Sequence, residues 1–395
     1  MSEKIKKPEL LAPAGNLEKL KTAFAFGADA VYAGITQFGL RKHSENLRLE
    51  ELKQAVDYAS NKGNKIYLAF NSFAFNSDID QIQDLWDHLN NIKPHALIIS
   101  DIGIFQLAKK YTDIPIHVST QANVLNQYGC EFWKKAGAKR IILAREVSLK
   151  ECRKIKNSLD IELEIFVHGA MCAGYSGKCI ISNYLSERDA NRGGCVQNCR
   201  HQFRIDEKAA THLMNTKDLM AVSLLPKVIN SGVDAVKIEG RMKSNLYLAN
   251  AVSVYRNALD KAYQSLINKK PYTFKEYEKE LKKVSNRTFF LGGLIPSKIK
   301  KAINTDFQGY TKKVEYIGFV KKVIKNKYIL LEVKNPFNQN DRLEVLGSAG
   351  KQIPFHVQSI KDMNGSILKK ARPNSLVLIP WVSFARKYDV LFCRF

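Results

Sequence analysis

Gly27-Ala28-Asp29-Ala30-Val31-Tyr32 reads as the close of one helix and the opening of a buried strand. Glycine suits the left-handed residue just past a helix, and the run behind it is apolar and β-forming. The phrase returns in outline as Gly137-Ala138-Lys139-Arg140-Ile141-Ile142 and as Gly232-Val233-Asp234-Ala235-Val236-Lys237. Upstream of the first copy, Asn16-Leu17-Glu18-Lys19 opens a helix after Gly15, with Leu17, Leu20, Ala23 and Phe24 on one stripe. Outward from these anchors, eight short apolar runs alternate with amphipathic stretches: Leu10–Pro13, Ala30–Ala33, Lys65–Phe70, Ala96–Ser100, Ile116–Ser119, Arg140–Ala144, Glu162–Val167 and Ala235–Ile238. Each is too short and too uniformly apolar to leave one face in water, which predicts parallel strands covered by helices. Eight such units in about 240 residues match an α/β fold of the (β/α)8 TIM-like barrel type, with a doubly wound open sheet as the rival.

Between the seventh and eighth strands, residues 168–231 form a cysteine-rich insertion with a predicted hairpin, Phe203–Ile205 against His212–Asn215. In a barrel this loop leaves the C-terminal face, where active sites are built. A helix from Ser244 to about Ser265 then leads into the polar linker Asn268-Lys269-Lys270-Pro271-Tyr272. The predicted organisation is a catalytic barrel over residues 1–267, a helical linker over 268–307 and a small C-terminal antiparallel β-barrel over 308–395. Its strands include Tyr316–Val320, Tyr328–Val333, Arg342–Val345 and Ser375–Ile379, separated by Asn, Gly and Pro turns.

With 395 residues, 45% hydrophobic and 25% charged, the chain can bury large cores, and neither a peptide nor a disordered protein fits. Its net charge is +24, and from Pro271 onward 24 basic residues face only 10 acidic ones. Such a field attracts polyanions. The pairs Lys312-Lys313, Lys321-Lys322 and Lys369-Lys370, interleaved with Tyr310, Tyr316, Phe319 and Tyr328, suggest an RNA-binding face on the C-terminal domain, with an ordinary solvated surface as the alternative. The apolar run Leu10–Ala12 is too short for a signal peptide, and the longest apolar stretch, Ser375–Ala385, is about half of what spans a bilayer. A cytoplasmic protein without membrane contact is expected.

Of seven cysteines, Cys130, Cys152 and Cys393 are scattered, whereas Cys172, Cys179, Cys195 and Cys199 lie within 28 residues as C-x6-C-x15-C-x3-C. Only the second pair approaches the tight spacing of structural zinc sites. Four thiolates at a barrel mouth can also hold a [4Fe–4S] cluster, with Gly169, Gly174, Gly177, Gly193 and Gly194 exposing backbone N–H groups. Spacing alone leaves iron–sulfur, zinc and buried or redox-active thiols open. Strand ends place further candidates at the mouth: Asn71, Asp101, Gln121, Asn123, Arg145, Glu146, His168, Glu239 and Arg241. Of these, Gln121, Arg145, His168, Glu239 and Arg241 are the catalytic candidates. Arg145 and Arg241 could clamp a dicarboxylate through paired N–H groups, or Arg145 could form a structural pair with Glu239. His168 reads as a supporting residue rather than a proton donor.

The stretch from Glu164 to Ser182, EIFVHGAMCAGYSGKCIIS, resembles the signature of the U32, or collagenase-like, peptidase family. The resemblance continues through Glu9-Leu10-Leu11-Ala12-Pro13-Ala14-Gly15, Asp29-Ala30-Val31-Tyr32, Ser119-Thr120-Gln121, Lys237-Ile238-Glu239-Gly240-Arg241-Met242-Lys243-Ser244, and a C-terminal extension from near Asn286-Arg287. It implies a family whose similar members include tRNA hydroxylation proteins, which form 5-hydroxyuridine at the wobble position with prephenate as co-substrate. It also includes a 23S rRNA cytidine hydroxylation protein and paired ubiquinone-hydroxylation proteins. These relatives are associated with oxygen-independent chemistry and a [4Fe–4S] cluster, here on Cys172, Cys179, Cys195 and Cys199. Some relatives place the fourth cysteine further downstream, where this chain has none before Cys393. The function so implied is tRNA uridine hydroxylation, with rRNA cytidine hydroxylation or a U32-type protease as alternatives. RNA and a second protein of the same family are the implied partners. Proteolysis lacks an HExxH or GxSxG context, and an iron-bound thiolate is no free nucleophile.

Overall fold

The protein is described by a computed structural model over residues 5–36, 46–206, 209–295, 302–305, 309–348 and 350–395. Its first half is a closed barrel. The wall strands are β1 (Glu9–Ala14), β2 (Ala30–Gly34), β3 (Lys65–Phe70), β4 (Ala96–Ile99), β5 (Ile116–Val118), β6 (Arg140–Ile142) and β7 (Glu162–Ala170). A short β8 (Asp218–Met220) follows inside the insertion, and β9 (Ala235–Ile238) completes the wall. Every neighbouring wall pair is parallel, β9 lying between β7 and β1. The β9–β1 ladder, Glu9 beside Ala235 to Leu11 beside Lys237, closes the circle and excludes the open sheet.

Helices α1 (Leu17–Ala25), α2 (Leu49–Ser60), α3 (Asn76–Ile92), α4 (Ile102–Tyr111), α5 (Gln127–Ala136) and α6 (Leu149–Ser158) return the chain between strands. Short polar caps start several of them: Asn16, Asp101, Asn126 and Ser148 each accept a backbone N–H from the first turn. Gly27, Gly137 and Gly232 all have positive φ, which is the backbone geometry their recurring phrase predicts.

The insertion departs from the predicted pattern. β7 runs on to Ala170 because β8 pairs with it antiparallel, His168 beside Met220 and Ala170 beside Asp218. The predicted hairpin reduces to one bridge, Phe203 with Thr211, because His212 and Lys217 donate their backbone N–H groups to Thr305 and Ala302 instead. A one-turn α7 (Ile181–Ser186) and a short α8 (Leu225–Asn230) complete the segment.

The long α9 (Asn245–Ile267) packs against α1, α8 and β1, and α10 (Lys275–Leu281) folds back on it. The segment treated as linker joins the barrel mouth. β10 (Phe289–Phe290) pairs parallel with β8. A Cβ on Gly293 would come within 2.5 Å of the Arg145 carbonyl oxygen, so only glycine lets this backbone lie so close to the loop after β6. The expected boundary at 307/308 lies outside the described residues.

The C-terminal unit is an antiparallel sheet. Its strands are β11 (Val314–Ile324), β12 (Tyr328–Val333), β13 (Phe337–Asn338), β14 (Arg342–Leu346), β15 (Gln352–His356), β16 (Ile360–Lys361), β17 (Ile367–Leu368), β18 (Lys370–Ala371), β19 (Leu376–Pro380) and β20 (Val390–Arg394). Eight of them run β15-β14-β20-β11-β12-β19-β16-β17, with β13 and β18 as a separate pair. Leu343 and Val345 near one edge share a core with Ile360 near the other, so the sheet curls around one apolar centre. Val314, Leu346, Val390 and Phe392 belong to the barrel's core instead, which makes the two units continuous.

This arrangement changes the expected RNA face. Phe319 is buried, Tyr316 packs against the barrel core, and Tyr310 lies over Lys243 of the barrel, 3.8 Å from its Nζ. Lys321 is paired with Glu18 of the barrel (2.9 Å) and Glu332 (3.0 Å). Lys322, Lys369 and Lys370 stay exposed, and the Lys312 ammonium lies 5.4 Å from the centre of the Phe395 ring.

Candidate active site at the barrel mouth

Charge lies inside the barrel below the mouth. Lys237 on β9 is buried, 3.0 Å from the Glu164 carboxylate and 4.3 Å from the centre of the Tyr32 ring. Burial pushes its ammonium down, while Glu164 and then Glu239 hold it up and Arg145 opposes them. Arg140 spans Glu9 (2.7 Å), Glu162 (2.8 Å) and Glu164 (3.2 Å). Burial disfavours that guanidinium, but Glu164 and Glu9 more than offset it. His117 sits beside them, edge-on to Tyr67 at 4.7 Å, with its Nδ1 unpartnered. These groups fill the barrel with satisfied charge and give the mouth a floor.

Above the floor are the strand-end candidates. Glu239 is buried, with the Tyr32 hydroxyl 3.1 Å from its Oε2 and its own carbonyl accepting from Tyr247. Arg241 is buried beside Gly34 and donates to Asn46 Oδ1. The Gln121 side chain accepts from Asn71 Nδ2 at 2.8 Å. The Arg145 guanidinium lies 4.0 Å over the Phe166 ring, and its buried Nε has no hydrogen-bond partner. It forms no ion pair with any described residue, so the Arg145–Glu239 pair that the sequence allowed is not made.

His168 has a different setting. Its ring is sealed between Tyr247, Tyr255 and Phe289 at 5.2–5.8 Å, Nδ1 lies 3.4 Å from the Tyr255 hydroxyl, and Nε2 has no partner. Burial pushes the imidazole down to about 4, so it is neutral at physiological pH.

The cysteine loop is stapled over the mouth. Ser176 donates its backbone N–H to Glu146 Oε1 (3.0 Å), and its hydroxyl accepts from the Arg145 N–H (2.9 Å). Asn123 donates to the Tyr175 carbonyl (2.9 Å), and Gly177 lies against the Gln121 side chain. Further along, Arg192 donates to the Phe73 carbonyl (2.8 Å) and pairs with Asp78. Arg200 donates to Asn215, Thr216 and Met171. Sequence reading missed these three anchors, because a lone Arg or Ser in a loop carries no periodic signal. Lys237 did carry one, as a charge inside an otherwise apolar strand.

Cys172, Cys179 and Cys199 are half-buried and Cys195 is exposed. Burial raises the Cys172 thiol, opposed by Arg145, and raises Cys199, opposed by Arg200; both also sense Cys179 and Cys195. Among the described residues no three His, Cys, Asp or Glu side chains converge tightly enough to chelate one metal ion. Cys130 and Cys152 are fully buried on α5 and α6, with thiols pushed up to about 12 by burial. They are structural.

No described helix is long and apolar enough to cross a membrane. Residues 15–302 match Peptidase family U32, and residues 312–391 match the Peptidase family U32 C-terminal domain. The chain is 38% identical to tRNA hydroxylation protein P1 of Bacillus subtilis, over 93% of its own length and 90% of that protein. It is 40% identical to tRNA hydroxylation protein P of Helicobacter pylori over 73% and 71%. With the 23S rRNA 5-hydroxycytidine C2501 synthase of Escherichia coli it shares 36% identity over 64% of this chain, but only 39% of that longer protein. Barrel, cysteine loop and C-terminal sheet are therefore matched in order, and the chain belongs to peptidase family U32.

Proposed function

We propose that this protein hydroxylates RNA, forming 5-hydroxyuridine at the wobble position of tRNA with prephenate as co-substrate and a [4Fe–4S] cluster on Cys172, Cys179, Cys195 and Cys199. One observation carries the small-molecule half: the Arg145 guanidinium stands unpaired at the mouth, beneath the cysteine loop. A partly buried cation with no ion-pair partner among the described residues favours an anionic ligand, and a guanidinium fits a carboxylate through two N–H groups. Glu239, held by Tyr32, limits where a second carboxylate can sit. The tRNA half is supported by the relatives that align along nearly the whole chain.

The clustered thiols lie near enough to feel one another: Cys172 and Cys199 each sense Cys179 and Cys195. A cluster takes one thiolate per iron, so its ligands stand wider than a tetrahedral zinc set. The N–H of Ile181 donates to Cys179 Sγ at 3.4 Å, a contact of the kind that tunes cluster sulfurs. When bound, such a group supplies one-electron redox chemistry. Arg145 would orient the anion, the Ser176–Glu146 staple would fix the loop, and the Glu164–Lys237 floor would set the depth of entry.

Proteolysis is disfavoured on geometry: among the described residues no histidine nitrogen is hydrogen-bonded to a serine, threonine or cysteine side chain. Hydroxylation of rRNA cytidine is the second reading, motivated by the E. coli relative. Mass spectrometry of nucleosides from a deletion strain tests both. Loss of 5-hydroxyuridine and its derivatives from tRNA supports the first; an intact tRNA profile with a missing rRNA hydroxycytidine selects the second.

A further inference from the structure

Between the loops after β3, β4 and β5 lies a cavity of about 270 Å3 whose lining includes Phe73, Asp101, Ile102, Ala122, Trp133 and Lys178. We infer that this cavity receives one unstacked pyrimidine base of the RNA, with Phe73 as its stacking face and Asp101 and Lys178 reading its polar edge. The inference rests on the RNA reading above and adds where the base goes.

Size comes first: the volume falls just below the ~300–1,000 Å3 of sites for drug-sized ligands, which suits a single small ring. Its walls are of two kinds. Phe73, Ile102, Ala122 and Trp133 are apolar or aromatic, as a base face requires, while Asp101 and Lys178 offer one acceptor and one donor. Asp101 Oδ1 is used as the α4 cap, accepting from Ile104 (2.9 Å), but Oδ2 has only a long 3.4 Å contact with the Ala74 N–H. It therefore keeps capacity for a ring or exocyclic N–H of the base. The exposed Lys178 ammonium leans over Phe73, 5.8 Å from the ring centre, where it can donate to a ring carbonyl.

Placement supports the same reading. Residues 175–178 run from the Arg145 and Glu146 contacts of Ser176, across Gln121, to Phe73, so one loop borders both compartments and continues directly into Cys179. At the rim, Phe75 is 64% exposed with the Arg192 guanidinium 4.5 Å over its ring, a second platform for a neighbouring base.

The test is binding of full-length protein to two anticodon stem-loop RNAs, one with uridine and one with an abasic site at the modified position. Stacking of ~1–3 kcal/mol per base predicts that wild type prefers the uridine RNA by about 5- to 150-fold. Phe73→Ala removes the platform and Ala122→Leu fills the cavity, and both bring the two RNAs to parity without changing abasic affinity. Tyr128→Ala, exposed on α5 outside the cavity lining, keeps the preference. The inference is overturned if wild type lacks the preference, or if both cavity variants retain it at unchanged melting temperature. Function is judged separately in the deletion strain. A lost modification that both variants restore in full sinks the cavity alone, whereas an unchanged nucleoside profile sinks the hydroxylation reading alone.

Discussion

Replacing His168 with phenylalanine tests whether the most conspicuous histidine of the cysteine signature acts on substrate or only fills space. The imidazole is sealed by Tyr247, Tyr255 and Phe289, its Nε2 has no partner, and burial holds it near 4, against about 6.5 in an unfolded chain. Above pH 6.5 both states are neutral and the residue contributes no pH dependence. Below it the unfolded chain takes up a proton that the folded one refuses, so stability falls as pH drops from about 6.5 to 4. Linkage puts the loss at about 2 kcal/mol by pH 5 and about 3 kcal/mol in full. For a barrel of this size, 2 kcal/mol lowers the melting temperature by roughly 4 °C. Asp389, whose carboxyl burial pushes up to about 6, acts in the opposite sense, but it is common to both proteins and cancels in the difference. Melting of wild type and His168→Phe should therefore diverge below pH 6.5, with the variant the more stable at pH 5 and at least equal at pH 7.5. A variant with the wild-type slope would show that the imidazole is not buried neutral. A folded variant with normal iron content but no RNA modification would show that it does act on substrate.

Arg145→Lys keeps the charge but loses the planar fork, so the KM for the dicarboxylate should rise about tenfold or more with the fold and the iron content unchanged, read by steady-state kinetics and iron assay. Cys172→Ala, Cys179→Ala, Cys195→Ala and Cys199→Ala should each lower iron and sulfide in anaerobically purified protein, whereas Cys130→Ala and Cys152→Ala, on outer helices, should not; zinc without iron in wild type would remove the cluster. Asp218→Asn breaks the buried pair with Arg287 (Nε to Oδ1, 2.9 Å) beside Arg200 and Lys243, and should cost about 3–5 kcal/mol in chemical unfolding. Lys321→Glu should loosen the domain contact with Glu18, by less than about 1 kcal/mol before repulsion, and speed proteolysis, while Lys322→Glu should not; equal loss of RNA affinity in both would return the RNA face to the C-terminal sheet.

The barrel wall was legible because its signal is local. Each strand is a short apolar run, and each helix end that mattered carries glycine at a position of positive φ, as at Gly27 and Gly137. β8 was not legible: three residues beginning with Asp218 hold their place through partners on β7 and β10, far away in sequence. The aromatic residues of β11 misled because Tyr316 and Phe319 sit among lysines in sequence yet face inward or toward the barrel. Strand-end position placed Gln121, Arg145, Glu239 and Arg241 at the mouth, but the contacts that hold the cysteine loop over them are set by tertiary folding. Thus Ser176 meets Glu146 and Arg192 meets Asp78 only once the insertion has folded across the mouth.

The close approach of Gly293 to the Arg145 carbonyl, together with the β10–β8 pairing, bears on how such a chain can be recombined. The stretch between helix α9 and the terminal sheet supplies a strand to the insertion and Arg287 to its buried ion pair, so the heritable unit of the mouth extends past residue 290. The match to the first family domain ends at 302, on the far side of that stretch. An exchange of C-terminal halves between relatives would preserve the mouth only if the crossover fell beyond it; a crossover at the end of α9 would import a foreign strand and a foreign arginine into the barrel mouth.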